Sequence, residues 1–229
     1  MLRTIIFDFD GIIVDSEPII MKLTHEMAAQ EGWAVSEEEY YRTYLALDDR
    51  GIVEHLFTSH GCAVDHARVE ELVNWKSQVY GTIIENGLPT LPGAVEFVRQ
   101  AAESYPLAIA SGSARSEIEY LLAKLGLRDH FRIIASADDC QRSKPDPEVY
   151  LKALAGMNTL PEFQESPLLA SECLAIEDAP GGIDAARAAG MRCMGLAHSR
   201  ATEHLENADW AFSGFPEVDL GAIANQFNG

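Results

Sequence analysis

Two carboxylates near the start of the chain stand where a buried strand is predicted to end. The apolar run Thr4–Phe7 is followed by Asp8, Asp10 and Gly11. Residues i and i+2 of a strand point to the same side, so Asp8 and Asp10 should converge at the sheet edge where open α/β folds bind ligands. Such carboxylates raise each other's pKa unless a cation lies between them, and Mg²⁺ is the usual candidate for oxygen ligands. An acidic loop cap without an ion is the alternative.

A second polar turn follows a later apolar run. Ser111, Gly112 and Ser113 come directly after the segment Leu107–Ala110. A hydroxyl group, a glycine and accessible backbone N–H groups at a strand-to-helix turn suit an anion. Simple capping of the next helix by Ser113 is an equally good interpretation of this motif alone.

Two further turns carry charged groups. Lys144 stands before Pro145-Asp146-Pro147, a rigid helix start from which an ammonium group could neutralise a phosphate, although a solvated lysine is the default. Glu177 and Asp178 follow the apolar run Cys173–Ile176 and could complete a cation site begun at the first strand. The alternative for the acidic pair is a helix N-terminus stabilised by the helix dipole.

Short apolar runs separated by helical patterns predict the elements that position these turns. Such runs suit strands buried on both faces of a parallel sheet, and their alternation with helices predicts a doubly wound α/β fold. The predicted strands are Thr4–Phe7, Leu107–Ala110, Phe131–Ala135, Cys173–Ile176 and Met191–Leu196.

One long segment breaks this alternation. Residues 16–87 contain no good strand pattern and are predicted to be helical nearly throughout. We expect an inserted helical cap domain, flanked by a core domain made of residues 1–15 and 88–229. Ordinary helical layers against the sheet are the alternative. Residues 156–171 form a long connection for an α/β unit and are predicted to be a surface insertion.

Charge and cysteine content exclude several classes of protein. The 229 residues include 36 acidic and 17 basic side chains, a net charge of −19. Such a chain is repelled by nucleic acid and anionic lipid, and its first apolar run suits neither a signal peptide nor a membrane span. The four cysteines include no Cys-x-x-Cys pair, and a reducing cytoplasm fits best. A monomer and a weak homo-oligomer both remain open.

The four turns together resemble the motifs of the haloacid dehalogenase superfamily, and more closely its β-phosphoglucomutase-like and phosphatase subgroup with a helical cap. The matching segments are Asp8-Phe9-Asp10-Gly11, Ser111, Lys144-Pro145 and Glu177-Asp178, and the resemblance spans roughly residues 1–215.

This resemblance implies a Rossmann-like core with a mobile cap and a role for each matching residue. It implies that Asp8 is the nucleophile and that Asp10 is the general acid and then the general base. Ser111, Gly112 and Lys144 would bind the phosphoryl group. Mg²⁺ would be held by the Asp8 carboxylate, the Asp10 backbone carbonyl and Asp178, with Glu177 close by.

Departures from the family pattern narrow the expected chemistry. Dehalogenases and phosphonate-cleaving relatives lack the second acid, so Asp10 argues against both. Mutases carry a histidine in the region where this chain has Ile19 and Ile20. They also carry an arginine in a cap loop, for which Arg50 could substitute in this chain, although the register of that loop is uncertain. We therefore expect a Mg²⁺-dependent phosphatase acting on a small phosphorylated metabolite, plausibly a sugar or polyol phosphate, ahead of a phosphosugar mutase.

Two other hypotheses remain open at this stage. A receiver-like regulatory module would also use acids, a hydroxyl and a lysine, but such modules are about half this length and have no place for a helical insert. A catalytically idle homologue that only binds its ligand is harder to exclude. Within the cap, Lys76 and Tyr80 lie one helical turn apart and could face the site, although a solvated lysine and a packed tyrosine are as reasonable.

Overall fold

Six parallel strands form the sheet that carries the polar turns. The computed structural model describes residues 1–44, 47–197 and 205–228. The strands are β1 Thr4–Phe7, β2 Leu107–Ala110, β3 Phe131–Ala135, β4 Cys173–Glu177, β5 Arg192–Leu196 and β6 Trp210–Phe212. Their order in the sheet is β3-β2-β1-β4-β5-β6, which confirms the predicted α/β class. Strand β6 was not predicted, because a three-residue strand is too short to show a period.

Alternation along β1 explains why its residues are apolar without a break. Ile5 and Phe7 belong to the hydrophobic cluster on one face of the sheet, whereas Ile6 belongs to the cluster on the other face. The ring of Phe7 contacts Phe97 and Phe131 edge-on, with centroids 6.2 and 5.8 Å away. Burial of each such side chain contributes about 1.5–3 kcal/mol, so a sheet covered on both faces requires this apolar run.

Helices cover both faces of the sheet. Helices α5 and α6 pack on the face that contains Phe7, and α7 and α8 pack on the face that contains Ile6. This arrangement is the doubly wound one. The bounds are α5 Ala94–Ala102, α6 Arg115–Lys124, α7 Glu148–Met157, α8 Pro180–Ala188 and α9 Leu220–Asn225.

The segment between β1 and β2 begins with helices, as predicted. Its elements are α1 Glu17–Gln30, the short α2 Glu37–Glu39 continuing into a π-helix Tyr40–Tyr44, α3 Asp49–Ser59 and α4 His66–Ile84. They share a hydrophobic cluster of their own. Side chains of α1 and α4, among them Leu23 and Tyr80, also join the main cluster of the sheet. The helices therefore rest on the carboxyl edge of the sheet while packing among themselves.

The prediction that residues 156–171 form a surface insertion is wrong for two of its side chains. Phe163 and Leu168 are buried and pack with the cluster on the Ile6 face. The Asn158 side chain holds this connection, because it donates to the Leu168 carbonyl and accepts from the Leu168 N–H. A long irregular connection can thus bury apolar side chains if a polar side chain satisfies its backbone.

The cysteines are all free thiols, and Cys173 and Cys193 are buried, as predicted from their apolar surroundings. Across the described ranges, no helix combines the length and the hydropathy needed to cross a bilayer.

Candidate active site

The polar turns meet because strand register brings them side by side. Phe7 of β1 is paired with Ile109 of β2 and with Ile176 of β4. The residues that follow these positions therefore leave the sheet at the same level. The Asp8 N–H donates to the Ile176 carbonyl at 2.9 Å, which ties the first turn to the fourth.

A buried lysine lies between two carboxylates at the centre of the site. The Lys144 ammonium is 2.9 Å from Asp8 Oδ1 and 2.7 Å from Glu177 Oε1. Burial raises the pKa of Asp8 to about 7, and Glu177 adds to the rise while Lys144 opposes it. Burial disfavours the Lys144 charge, but Asp8 and Glu177 hold the lysine pKa above its usual range. The site thus keeps a charged lysine beside the buried Asp8 carboxylate.

Two residues that the sequence analysis did not single out for the site fix the position of Glu177. The carboxylate is 0% exposed, and its Oε1 also accepts a hydrogen bond from the Tyr150 hydroxyl at 2.5 Å. A Cβ atom on Gly182, in the first turn of α8, would lie 2.1 Å from Oε2, so only glycine leaves room. No local pattern identifies Tyr150, because its contact with Glu177 joins residues 27 positions apart in the chain.

The carboxylates of Asp8, Glu177 and Asp178 could hold a cation. One oxygen atom of each lies within 4.8 Å of the others. Burial, and then the Asp8 and Glu177 charges, raise the pKa of Asp178 well above its usual range. Gly11 has a φ of +70°, and a Cβ there would lie 2.0 Å from Asp178 Oδ2, so Gly11 is needed both for the turn and for the space. Three converging carboxylates with a single lysine among them fit a divalent ion.

Asp10 lies beside this cluster with its carboxylate turned to two hydroxyl groups. Ser16 Oγ donates to Asp10 Oδ1 at 2.5 Å, and Ser113 Oγ donates to Oδ2. The interpretation of Ser113 as a helix cap is therefore wrong. Helix α6 begins at Arg115 with Ala114 as its N-cap residue, and the Ser113 hydroxyl donates to Asp10 instead. The Asp10 side chain is not among the three converging carboxylates, and a metal contact through its backbone carbonyl stays a prediction.

The second turn lines the same cavity with Ser111, Gly112 and Ser113. Ser111 is buried, its N–H donates to the Ala135 carbonyl, and its Oγ accepts from the Ser113 N–H at 3.0 Å. The Ser111 hydroxyl proton is thereby left for another acceptor. A Cβ on Gly112 would lie 3.5 Å from Asp48 Cα, so this turn is in close contact with the loop before α3.

The helices of residues 16–87 close the site from above. Of the two interpretations of Lys76, the one that faces the site is correct and the solvated one is wrong: this side chain is 3% exposed, lines the cavity over the site and donates to Asp49 Oδ1 at 2.5 Å. Burial lowers the Lys76 pKa, but Asp49, Glu117 and Asp10 together hold it above its ordinary value. Tyr80 is buried beneath the ammonium, whose nitrogen lies 5.1 Å from the ring centroid.

Arg50 does not replace a cap-loop arginine facing the site. Its guanidinium contacts Glu70 and lies 4.0 Å from Glu54, on the outer side of α3, and it does not line the cavity. Ile20 does line the cavity, on the α1 side. The cavity volume is about 50 Å³, room for roughly four water molecules.

Comparisons with known proteins agree with this geometry. The family model described as haloacid dehalogenase-like hydrolase matches residues 5–196. Protein CbbY of Rhodobacter capsulatus is 32% identical, over 98% of this chain and 96% of its own length. Fructose-1-phosphate phosphatase YqaB of Escherichia coli is 30% identical, over 82% of this chain and 92% of its own.

A solved structure extends the likeness to the whole fold. The β-phosphoglucomutase of Clostridium difficile superposes with a TM-score of 0.84 at 22% identity, covering 100% of this chain and 98% of that one. The family match and the fold agree, and the chain belongs to the haloacid dehalogenase-like hydrolase family, as its motifs predicted.

Proposed function

We propose that the protein is a Mg²⁺-dependent phosphatase that hydrolyses a small phosphorylated metabolite, a sugar or polyol phosphate, through an aspartyl-phosphate on Asp8. The observation that carries the proposal is the buried contact of 2.9 Å between the Asp8 carboxylate and the Lys144 ammonium. A carboxylate can approach an anionic phosphate only if cations screen the repulsion. The phosphatase name of the E. coli relative supports the reaction class.

The first half of the reaction uses Asp8 and Asp10. An Asp8 oxygen forms a bond to phosphorus while the bond from phosphorus to the ester oxygen breaks, and Asp10 gives a proton to the departing alcohol. In the second half, Asp10 removes a proton from water, which attacks the phosphoryl group and releases phosphate and the Asp8 carboxylate. Ser16 and Ser113 position Asp10 for both proton transfers.

Ser111, Gly112 and Lys144 bind the transferring phosphoryl group. The free Ser111 hydroxyl proton and the Gly112 N–H supply hydrogen bonds to its oxygen atoms, and the ammonium supplies charge. Glu177 holds Lys144 in place from the other side. This division of roles explains why a lysine so deeply buried is retained between two acids.

The donor set fits Mg²⁺, which would be held by the carboxylates of Asp8 and Asp178 and the backbone carbonyl of Asp10, with Glu177 close by. Bound there, Mg²⁺ neutralises charge on the phosphoryl oxygens. The support is the raised pKa of the Asp8 and Asp178 carboxyl groups, since a cation relieves the cost of their burial.

We further propose that residues 1–15 and 88–229 form the catalytic core and that residues 16–87 form a cap that opens for substrate and closes for the reaction. The small cavity supports this, because closure over so little space expels bulk water. The free thiols support a reducing cytoplasm as the working compartment. A phosphosugar mutase is the alternative, and the outward position of Arg50 together with Ile20 in the cavity wall favours hydrolysis over it.

Phosphate release from a panel of phosphate monoesters, with and without EDTA, tests the proposal. We expect turnover that EDTA abolishes and Mg²⁺ restores, and equal turnover in EDTA would contradict the metal role. Asp8→Asn should remove turnover, whereas Asp129→Asn, at an exposed position away from the cavity, should not. An active Asp8→Asn protein would rule out the nucleophile, and isomer formation in place of phosphate release would identify a mutase.

A further inference from the structure

The wall of the cavity opposite Asp8 has an unusual charge balance for a site that binds anions. We call this surface the cap wall; under the proposed function, the leaving group of the ester would lie against it. It contains one cation and two carboxylates. Its members among the described residues are Glu17, Ile20, Tyr40, Tyr44, Leu47, Asp49, Ile52 and Lys76.

The one cation of that set is already paired. Lys76 Nζ lies 2.5 Å from Asp49 Oδ1, with the lysine side chain 3% exposed and the Asp49 side chain 24% exposed. The next residue of α4, Ser77, donates a hydrogen bond to Glu117 at 3.3 Å, which places the Glu117 carboxyl group beside this part of the helix. The positive charge of Lys76 is therefore matched within the protein before any ligand binds.

The arginine adjacent to Asp49 does not add a cation to this wall. Arg50 is held on the outside of α3 by Glu70 and Glu54. Glu17 contributes a second carboxylate to the wall from the start of α1. A second phosphate group, with a charge of about −2, would have to displace Asp49 from Lys76 in order to pair with this lysine.

Hydroxyl groups suit the same wall well. A hydroxyl can donate to the remaining Asp49 oxygen and accept from a remaining Lys76 N–H, so the pair binds it without being broken. Ile20 and Ile52 offer apolar contact to the carbon chain. The Lys76–Asp49 pair can therefore bind a neutral hydroxyl group but disfavours a second phosphate group.

We propose that the substrate is a monophosphate whose leaving group is an uncharged carbon chain bearing hydroxyl groups, and that Asp49, by pairing with Lys76, is the specificity-determining residue that rejects a second phosphate. This inference rests on the proposed phosphatase function. It narrows the substrate class by excluding bisphosphates.

Matched substrates test the inference. We expect kcat/KM for fructose 1-phosphate to exceed that for fructose 1,6-bisphosphate by about tenfold or more, because like charges at a binding site are strongly unfavourable. Asp49→Asn should lower this ratio at least about tenfold by freeing Lys76, mainly through a lower KM for the bisphosphate. Glu70→Gln removes the same unit of charge outside the cavity and should leave the ratio unchanged.

Three results would overturn the inference. Equal turnover of both esters by the wild-type protein would do so while leaving the phosphatase function intact. Equal shifts in Asp49→Asn and Glu70→Gln would point to overall charge and not to the pair. If Asp49→Asn does not fold, the two fructose phosphates can be compared as inhibitors of p-nitrophenyl phosphate hydrolysis by the wild-type protein. Tighter inhibition by the bisphosphate than by the monophosphate would contradict the inference. No turnover of any ester refutes the proposed function itself.

Discussion

Gly182 provides the sharpest test of how the site is held together. An alanine there would place a Cβ 2.1 Å from Glu177 Oε2 and 2.2 Å from both Cδ and Oε1. Carbon and oxygen atoms normally approach no closer than about 3.3 Å, so the carboxylate must move by about 1 Å. Helix α8 begins only two residues earlier, at Pro180, and packs directly on the sheet, which limits how far the helix itself can retreat.

The size of the effect follows from what Glu177 holds. Its Oε1 accepts from Lys144 at 2.7 Å and from Tyr150 at 2.5 Å, and a shift of about 1 Å takes both beyond hydrogen-bond range. Breaking a buried ion pair costs about 3–5 kcal/mol. We therefore expect Gly182→Ala to lower the free energy of unfolding by about 3 kcal/mol. Misplacing Lys144 should lower kcat/KM about a hundredfold.

Urea denaturation and phosphate release measure the two effects. Gly81→Ala is the matched control: Gly81 also lies within a helix, but a Cβ there would meet no described atom within 4 Å beyond its own helix backbone and chain neighbours. There the substitution should stabilise the protein by about 0.5–1 kcal/mol and leave turnover unchanged. In a Glu177→Ala background, Gly182→Ala should cost almost nothing, since the colliding group is gone.

Wild-type stability and activity in Gly182→Ala would refute this reasoning, because the carboxylate could not then occupy the space beside α8. An equal loss with and without the Glu177 side chain would also refute it. In that case helix packing, and not the carboxylate, would require glycine.

Three further predictions concern neighbouring groups. Burial raises the pKa of Glu117 from 4.5 to about 7, so the folded protein holds a proton that the unfolded chain releases, and this stabilisation is lost as the pH rises through 7. Glu117→Gln should thus gain about 2 kcal/mol over the wild type between about pH 5 and pH 8 in urea denaturation; a constant difference would contradict the shift. Tyr150→Phe removes a donor to a buried carboxylate and should cost about 1.5–3 kcal/mol, with an unchanged unfolding midpoint as the contrary result. Gly11→Ala should raise the Mg²⁺ concentration for half-maximal activity about tenfold by displacing Asp178. Gly61 is the control, because it has a similar φ but open space around it within the described chain. Gly61→Ala should therefore lower the melting temperature through backbone strain and leave the Mg²⁺ dependence unchanged.

Local patterns were sufficient for five of the six strands and for the turns at the edge of the sheet. The apolar runs predicted five strands because a strand buried on both faces can contain little else. The acids and the hydroxyl stood out because polar residues directly after such runs must lie at a strand end. Lys144 stood out because it precedes the rigid helix start Pro145-Asp146-Pro147. The motif resemblance then named Asp8, Ser111, Lys144 and Asp178 together, and the structure brings them to one cavity.

Only the tertiary structure decided the contacts between residues that are far apart in the chain. Examples are the ion pair of Lys76 with Asp49 and the hydrogen bonds from Ser113 to Asp10 and from Tyr150 to Glu177. These contacts depend on how the helices pack, and no local sequence period encodes that packing. The two sides of the Glu177 carboxylate differ for the same reason. Lys144 binds one side, and the other side has room only because Gly182 has no side chain. Sequence periodicity determines which residues leave the sheet at its edge, but the charge each one meets there is set by packing across the whole fold.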